Sequence, residues 1–369
     1  MSRRKLLVLV SLDGAAMARD VAEHCAALGT AYEIEALVPR DEIERFRSIG
    51  VAATAWRPAG IVGMAQSVSS LRKTATRFAP DVVHAHGFPA VAVALGTFPA
   101  SLASRTIATF HDPLRDKELP SKLVDRKLPG YVRRAAALTA TYPSLARGLE
   151  ERMMLDDGAI AVVPHGVALG LDPGAPLARP AGRAGPIVGW RGMLSADRSW
   201  ETAIDAFKLL HERFPDARME ISGSGRARQF VAAHVRQQKL AEFVAFRGDE
   251  AAEDFFGAID LLAVPRSRDA QPQAPLEALC YGIPVVAANA GALADALATR
   301  EVAWLVPDDA EGFAEGLGDA WSRIEGAFVG AQAQRAAARA AYAREAVTAQ
   351  YRGLYGSARS DEVFRAGGT

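Results

Sequence analysis

Val264-Pro-Arg-Ser-Arg-Asp-Ala-Gln-Pro-Gln-Ala-Pro-Leu-Glu-Ala-Leu-Cys-Tyr-Gly-Ile-Pro-Val-Val-Ala287 is the stretch that decides the fold of this chain. It starts on the end of an apolar strand, runs through a polar loop into a short helix, turns at Gly282 and leaves on a second apolar strand. A strand, a crossover helix and another strand specify parallel pairing. Asp269 stands in the loop, and Glu277 stands near the helix N-terminus, where the dipole favours a carboxylate. Two carboxylates spaced in this way can each accept hydrogen bonds from hydroxyl groups of one ligand. A capping Glu277 and a solvated Asp269 fit the spacing equally well, and the residues alone leave both readings open.

The same rhythm extends in both directions. Leu6 to Val10, Tyr32 to Val38, Val51 to Trp56, Asp81 to His84, Thr106 to Phe110, Ala137 to Ala140 and Ile160 to Val163 read as strands separated by helical stretches. Met17, Val21, Cys25 and Leu28 recur at helical spacing and form one apolar face, which makes Cys25 a core residue. Gly and Pro then crowd Leu169 to Pro186, the expected linker. A second series follows, with strands at Ile187 to Trp190, Met219 to Ser222, Val244 to Phe246, Leu261 to Val264 and Pro284 to Ala287. The expectation is an α/β chain of two doubly wound parallel-sheet domains facing across a cleft, at 1–168 and 187–344. The Ala-rich tail, Ala331 to Tyr355, reads as helix with Gly353 its only breaker, and 345–369 is expected to return to the first domain.

At 369 residues the chain is long enough for two cores. Its 43 basic and 43 acidic residues balance, so bulk charge gives no attraction to nucleic acid. No run approaches the roughly 20 apolar residues that cross a bilayer, and the opening segment is too short and too soon interrupted for a signal peptide, so a cytoplasmic location is expected. The two cysteines, Cys25 and Cys280, form no metal or redox motif. Arg115 to Arg134 interleaves seven basic and three acidic residues with Leu119, Leu123, Leu128, Tyr131 and Val132. It reads either as a solvated helix face or as a contact with an anionic membrane surface.

Beyond Glu277 the sequence continues Ala-Leu-x-x-Gly-x-Pro-Val-Val-Ala. With an acidic residue eight positions before that Glu, the pattern resembles the donor-site signature of retaining GT-B glycosyltransferases of the family 4 type, glycosyl transferases group 1. Asp81-Val-Val-His-Ala-His86, Thr109-Phe-His-Asp112, Val163-Pro-His-Gly-Val167, Ile221-Ser-Gly-Ser-Gly225 and Trp304-Leu-Val-Pro-Asp308 fall in the family's order and approximate spacing. The resemblance therefore covers nearly the whole chain. It implies a GT-B fold and transfer of a sugar, with retention and without metal, from a nucleoside-diphosphate sugar to a carbohydrate or lipid-linked acceptor.

By that resemblance Glu277 binds the donor ribose and Asp269 contacts the transferred sugar, one methylene shorter than the usual Glu. In Gly189-Trp-Arg-Gly-Met-Leu-Ser-Ala-Asp-Arg-Ser199, Arg198 falls on the family's Lys and Met193 on its Arg. A breaking glycosidic bond leaves negative charge on a diphosphate, so a cation is needed there. Arg198 supplies it, and Arg191 can stand in for the missing arginine. Gly14, in Ser11-Leu-Asp-Gly-Ala-Ala-Met17, can bring backbone N–H groups to a phosphate or to the sugar, although a plain strand-to-helix turn explains it almost as well. His111, at a strand end beside the cleft, is read as an imidazole with a pKa near neutrality that hydrogen-bonds a sugar hydroxyl, in preference to a satisfied core histidine. His84 and His86 lack a third ligand and read as structural. Gly223 and Gly225 follow a strand, but Arg228 occupies the third glycine position of a dinucleotide fingerprint, so a nucleotide-contacting turn is expected and no dinucleotide cofactor. The chain also contains no Asp-x-Asp. Two alternatives stay open: a nucleotide-sugar epimerase of the same fold, and a catalytically silent nucleotide-sugar-binding protein.

Overall fold

A computed structural model describes residues 3–11, 15–58, 60–113, 127–170, 184–195, 199–265, 273–298 and 302–358. The chain forms two compact units, Met1–Gly166 with Arg344–Thr369, and Val167–Ala343. Each is a parallel sheet flanked by helices.

In the first unit the strands are β1 (Arg4–Val10), β2 (Tyr32–Val38), β3 (Ala52–Ala55), β4 (Val82–His86), β5 (Thr106–Phe110), β6 (Ala137–Ala140) and β7 (Ile160–Val162). They lie in the order β3-β2-β1-β4-β5-β6-β7. Both faces of this sheet are covered, which is why β1 is apolar at every position from Leu6 to Val10 rather than alternating. Leu7 and Leu9 face one core with Val91, Leu95 and Phe110. Leu6, Val8 and Val10 face another, built with Met17, Val21, Cys25 and Leu28 of the helix Ala15–Leu28 and with Val347, Tyr351 and Tyr355 of the helix Arg344–Ser357. Cys25 is fully buried and free, in line with its reading as core.

The second unit carries β8 (Ile187–Arg191), β9 (Arg218–Ser222), β10 (Val244–Gly248), β11 (Leu261–Val264), β12 (Val285–Ala288) and β13 (Ala303–Val306), in the order β10-β9-β8-β11-β12-β13. The sequence reading has no strand at β13, a four-residue run that is apolar at every position but short, and only partly buried over Ala303–Leu305. The quoted stretch forms β11, the helix Gln273–Tyr281 and β12, and β11 and β12 pair directly and in parallel.

The tail differs from the single helix expected. Ile324–Tyr342 and Arg344–Ser357 are separate helices, and Gly353 lies inside the second. The break falls at Ala343, where ψ swings to 141° and the backbone bridges to Val167. Long-range pairing ends the helix there, and no local breaker marks the position. The two helices also divide between the units, Arg344–Ser357 belonging to the first.

Part of the basic stretch turns inward. Leu128 and Val132 are buried in the first unit's core, and Tyr131 packs against it. Arg134 donates to the Leu95 and Phe98 carbonyls, and Arg133 to that of Pro129. These residues cap and fill the fold; 114–126, the rest of the stretch read as a solvated face or a membrane contact, lie outside the described residues. Among the described residues no helix is long and apolar enough to cross a membrane.

Candidate functional site

In open parallel sheets, ligands bind beyond the carboxyl ends of the strands at the point where the strand order reverses. In the second unit that point lies between β8 and β11. Arg191 is the last residue of β8, and Glu277 is the fifth residue of the helix that follows β11. The structure brings these two predicted residues together. Arg191 Nε donates to Glu277 Oε2 at 3.1 Å, and the side chains are 21% and 18% exposed, so a ligand can reach them. Arg191 Nη1 also donates to Ser222 Oγ at 2.7 Å, while the Ser222 hydroxyl donates to the Gly248 carbonyl at 3.3 Å. Asp269 and Arg198 lie outside the described residues. Met193 is 52% exposed.

Gly223 and Gly225 sit in the turn after β9 with φ of 130° and 152°, a region closed to most side chains. Leu194 N–H donates to the Ser224 carbonyl and Ala227 N–H to that of Leu194, which ties the turn to the loop after β8. A Cβ at Gly223 or Gly225 would run into the Gly192 or Leu194 carbonyl. The glycines thus shape the loop that leads toward Arg198.

In the first unit the strand order reverses between β1 and β4. Ser11, directly after β1, is held by the His86 carbonyl and accepts from Ala90 N–H at 2.8 Å. Gly14, three residues on, lies outside the described residues. β4 runs two residues further than expected and thereby includes His84 and His86 on one face. His84 contacts Tyr355 Oη and Thr109 Oγ1 at 2.7 Å each, and His86 Nδ1 lies 3.0 Å from His111 Nε2.

His111 departs from its sequence reading. It is 4% exposed, in the core position that the sequence reading ranked second, and burial together with the charge of His165 lowers its pKa to about 3. It is a neutral imidazole at every physiological pH. With Asp20, His24, His86, His165 and Arg344 it lines a cavity of about 20 Å³ within the first unit, room for about one water. Asp20 accepts from His165 Nδ1 at 2.8 Å and from Arg344 Nη1 at 2.9 Å. Burial alone would raise the Asp20 pKa, but His165 and Arg344 carry it well below the usual carboxylate range. His24 joins Thr348 Oγ1 and Tyr355 Oη, and burial lowers its pKa to about 4.

Sequence reading missed this network. Its members come from Asp20, His24, His165 and the helix Arg344–Ser357, separated by up to 331 positions, and no local pattern connects them. Ser222 was likewise missed, since a strand-end serine carries no signal without its partner.

The buried histidines give a pH dependence with a definite sign. Their folded pKa values lie below the ordinary 6.5, so the unfolded chain binds protons that the folded chain refuses. The stabilisation is complete above about pH 6.5 and is lost as pH falls toward about 4 for His24 and about 3 for His111. Each group contributes on the order of a few kcal/mol. Urea midpoints measured from pH 7 to pH 4 are expected to fall steadily, with a shallower fall for His24→Gln. A flat profile would contradict the burial of these rings.

Two parallel-sheet units, each with polar side chains gathered where its strand order reverses, define a GT-B architecture. Residues 14–171 match the family described as Glycosyltransferase Family 4, and residues 185–323 that described as Glycosyl transferases group 1. The chain belongs to the family-4-like glycosyltransferases of the GT-B fold. A 2-deoxystreptamine glucosyltransferase of Streptomyces kanamyceticus is 26% identical over 179 residues, 44% of this chain and 45% of that one. The chain spans less than half the length of the curated relatives it matches. Among solved structures, a glycosyltransferase from Rickettsia africae has a TM-score of 0.74 at 13% identity, with 98% of this chain and 100% of that chain covered. HepE of Anabaena, in complex with UDP and glucose, has a TM-score of 0.71 at 17% identity, covering 96% and 100%. At these identities the likeness establishes the fold.

Proposed function

We propose that this chain transfers a hexosyl group from a nucleoside-diphosphate sugar to an acceptor hydroxyl, with retention and without a metal ion, in the synthesis of a cell-surface polysaccharide or glycolipid. The observation that carries the reading is Glu277, placed and held at the point where the second unit's strand order reverses. A carboxylate there accepts from vicinal ribose hydroxyls, and the solved structure of HepE with UDP and glucose supports a uridine nucleotide as the first donor to try. Arg198 meets the diphosphate, Asp269 orients the sugar, and the N–H groups around Gly14 approach the phosphate or the sugar, while the buried His111 supports the first unit from behind. In the reaction the bond from C1 to the β-phosphate oxygen breaks. The acceptor oxygen bonds C1 on the same face, and its proton passes to the leaving phosphate. The chain has no Asp-x-Asp to carry a diphosphate-bound metal, which leaves charge neutralisation to cationic side chains.

A panel of nucleoside-diphosphate sugars read by thermal shift, then incubated with a carbohydrate and lipid-linked acceptor extract, tests this. The expected result is nucleotide release that depends on acceptor, persists in EDTA, and yields a product with the donor's anomeric configuration by NMR. Nucleotide release without acceptor points to epimerase-type chemistry, and binding without turnover points to a silent binding protein. Either outcome rejects the proposal.

A further inference from the structure

We propose that Arg191 is a positioning residue that fixes the Glu277 carboxylate for the donor ribose, and is not the cation that meets the diphosphate. The inference rests on the nucleotide reading of Glu277 given above. All three guanidinium nitrogens of Arg191 have partners inside the second unit. Nε meets Glu277 Oε2, Nη1 meets Ser222 Oγ, and Nη1 and Nη2 each lie 3.4 Å from the Glu250 carbonyl. The guanidinium also lies near the rings of Phe255 and Phe256, its Cζ 5.5 and 6.0 Å from their centroids. Ser222 directs its own proton to the Gly248 carbonyl, which turns its lone pairs toward Arg191. A planar fork held on this many sides has a single orientation, and it imposes that orientation on the carboxylate it touches.

The electrostatics agree. Arg191 and Glu277 form a pair of zero net charge, so Arg191 brings little positive potential to a diphosphate. The Arg191 Nε–H meets one carboxylate oxygen, Oε2, and so fixes the plane in which the carboxylate presents its acceptor sites. Met193, on the position where the family carries arginine, is exposed and apolar. The arginine of this loop stands two residues earlier, on the end of β8, where it serves the carboxylate.

Two ligands separate the roles. UDP has both the ribose hydroxyls and the diphosphate, whereas 2′,3′-dideoxy-UDP keeps only the diphosphate. Guanine or adenine pairs replace them if the wild-type chain prefers those bases. Calorimetry on the full chain is expected to show wild type binding UDP more tightly than the dideoxy form. Arg191→Met should weaken UDP about 10-fold and leave the dideoxy affinity within about two-fold. Ser222→Ala, which removes one anchor of Arg191 and keeps both charges, should repeat the pattern at about two- to three-fold. This milder variant guards against an Arg191→Met chain that fails to fold. Equal weakening of UDP and dideoxy-UDP by either variant overturns the proposal and makes Arg191 a diphosphate ligand. If wild type itself binds the two ligands alike, or binds neither, the ribose role of Glu277 falls and this inference falls with it. That failure is visible before any residue is changed.

Discussion

Glu277→Ala is expected to weaken nucleoside-diphosphate binding about 100-fold. Hydrogen bonds from ribose hydroxyls to a carboxylate are charge-assisted and contribute about 1.5–3 kcal/mol each, so at the lower end, fitting a site open to water, losing two costs roughly 3 kcal/mol. Glu277→Gln keeps one acceptor and should fall between, at about 10-fold. Neither change should unfold the second unit. Arg191 keeps its bonds to Ser222 and Glu250, and the pair is open enough to water that the orphaned charge is partly solvated. Calorimetric titration with UDP, alongside a melting curve for each variant, checks both halves of the expectation. Unchanged affinity in Glu277→Ala would remove the residue from the site.

The second large effect concerns stability. Asp20→Asn is expected to destabilise the first unit by about 3–5 kcal/mol, the usual cost of breaking a buried ion pair from one side. Asp20 is the acceptor for both His165 and Arg344, and both partners are buried. Without the carboxylate's charge, Arg344 keeps the Asp20 backbone carbonyl and an ion pair with Glu23, whose side chain is 39% exposed, and the charged anchor of His165 is gone. Arg344→Met alone should cost a similar amount, because it leaves the Asp20 charge buried. The double variant should cost clearly less than the sum of the two, since each single change already removes the same interaction. Denaturant unfolding of the four proteins gives the coupling directly. Additive costs would mean that the pair contributes nothing beyond packing.

Much of the architecture was legible because parallel sheets covered on both faces write themselves as continuous apolar runs. Leu6 to Val10 and Leu261 to Val264 need no partner to be recognised. β13 and the helix break at Ala343 were not legible, since a short, half-covered strand and a bridge to Val167 depend on residues far away. The site divides along the same line. Glu277 could be placed from its own helix and turn, whereas the duty of Arg191 could not, because Ser222 and Glu250 reach it only through the sheet. His111 was read at the cleft edge with a pKa near neutrality, in preference to a core position. Its burial follows from His86, His165 and the helix Arg344–Ser357, none of which its local sequence announces.

That last helix has a consequence for the order of events on the ribosome. His24 and His84 find a partner in Tyr355, and Asp20 finds one in Arg344, so each of these groups lacks a partner it has in the finished fold until the second unit has been made. At ordinary elongation rates the intervening chain takes on the order of ten to thirty-five seconds to emerge. Throughout that interval the nascent first half carries an open polar seam where its last helix belongs. Most of this unit is made before its neighbour, yet it can finish folding only after that neighbour has left the exit tunnel.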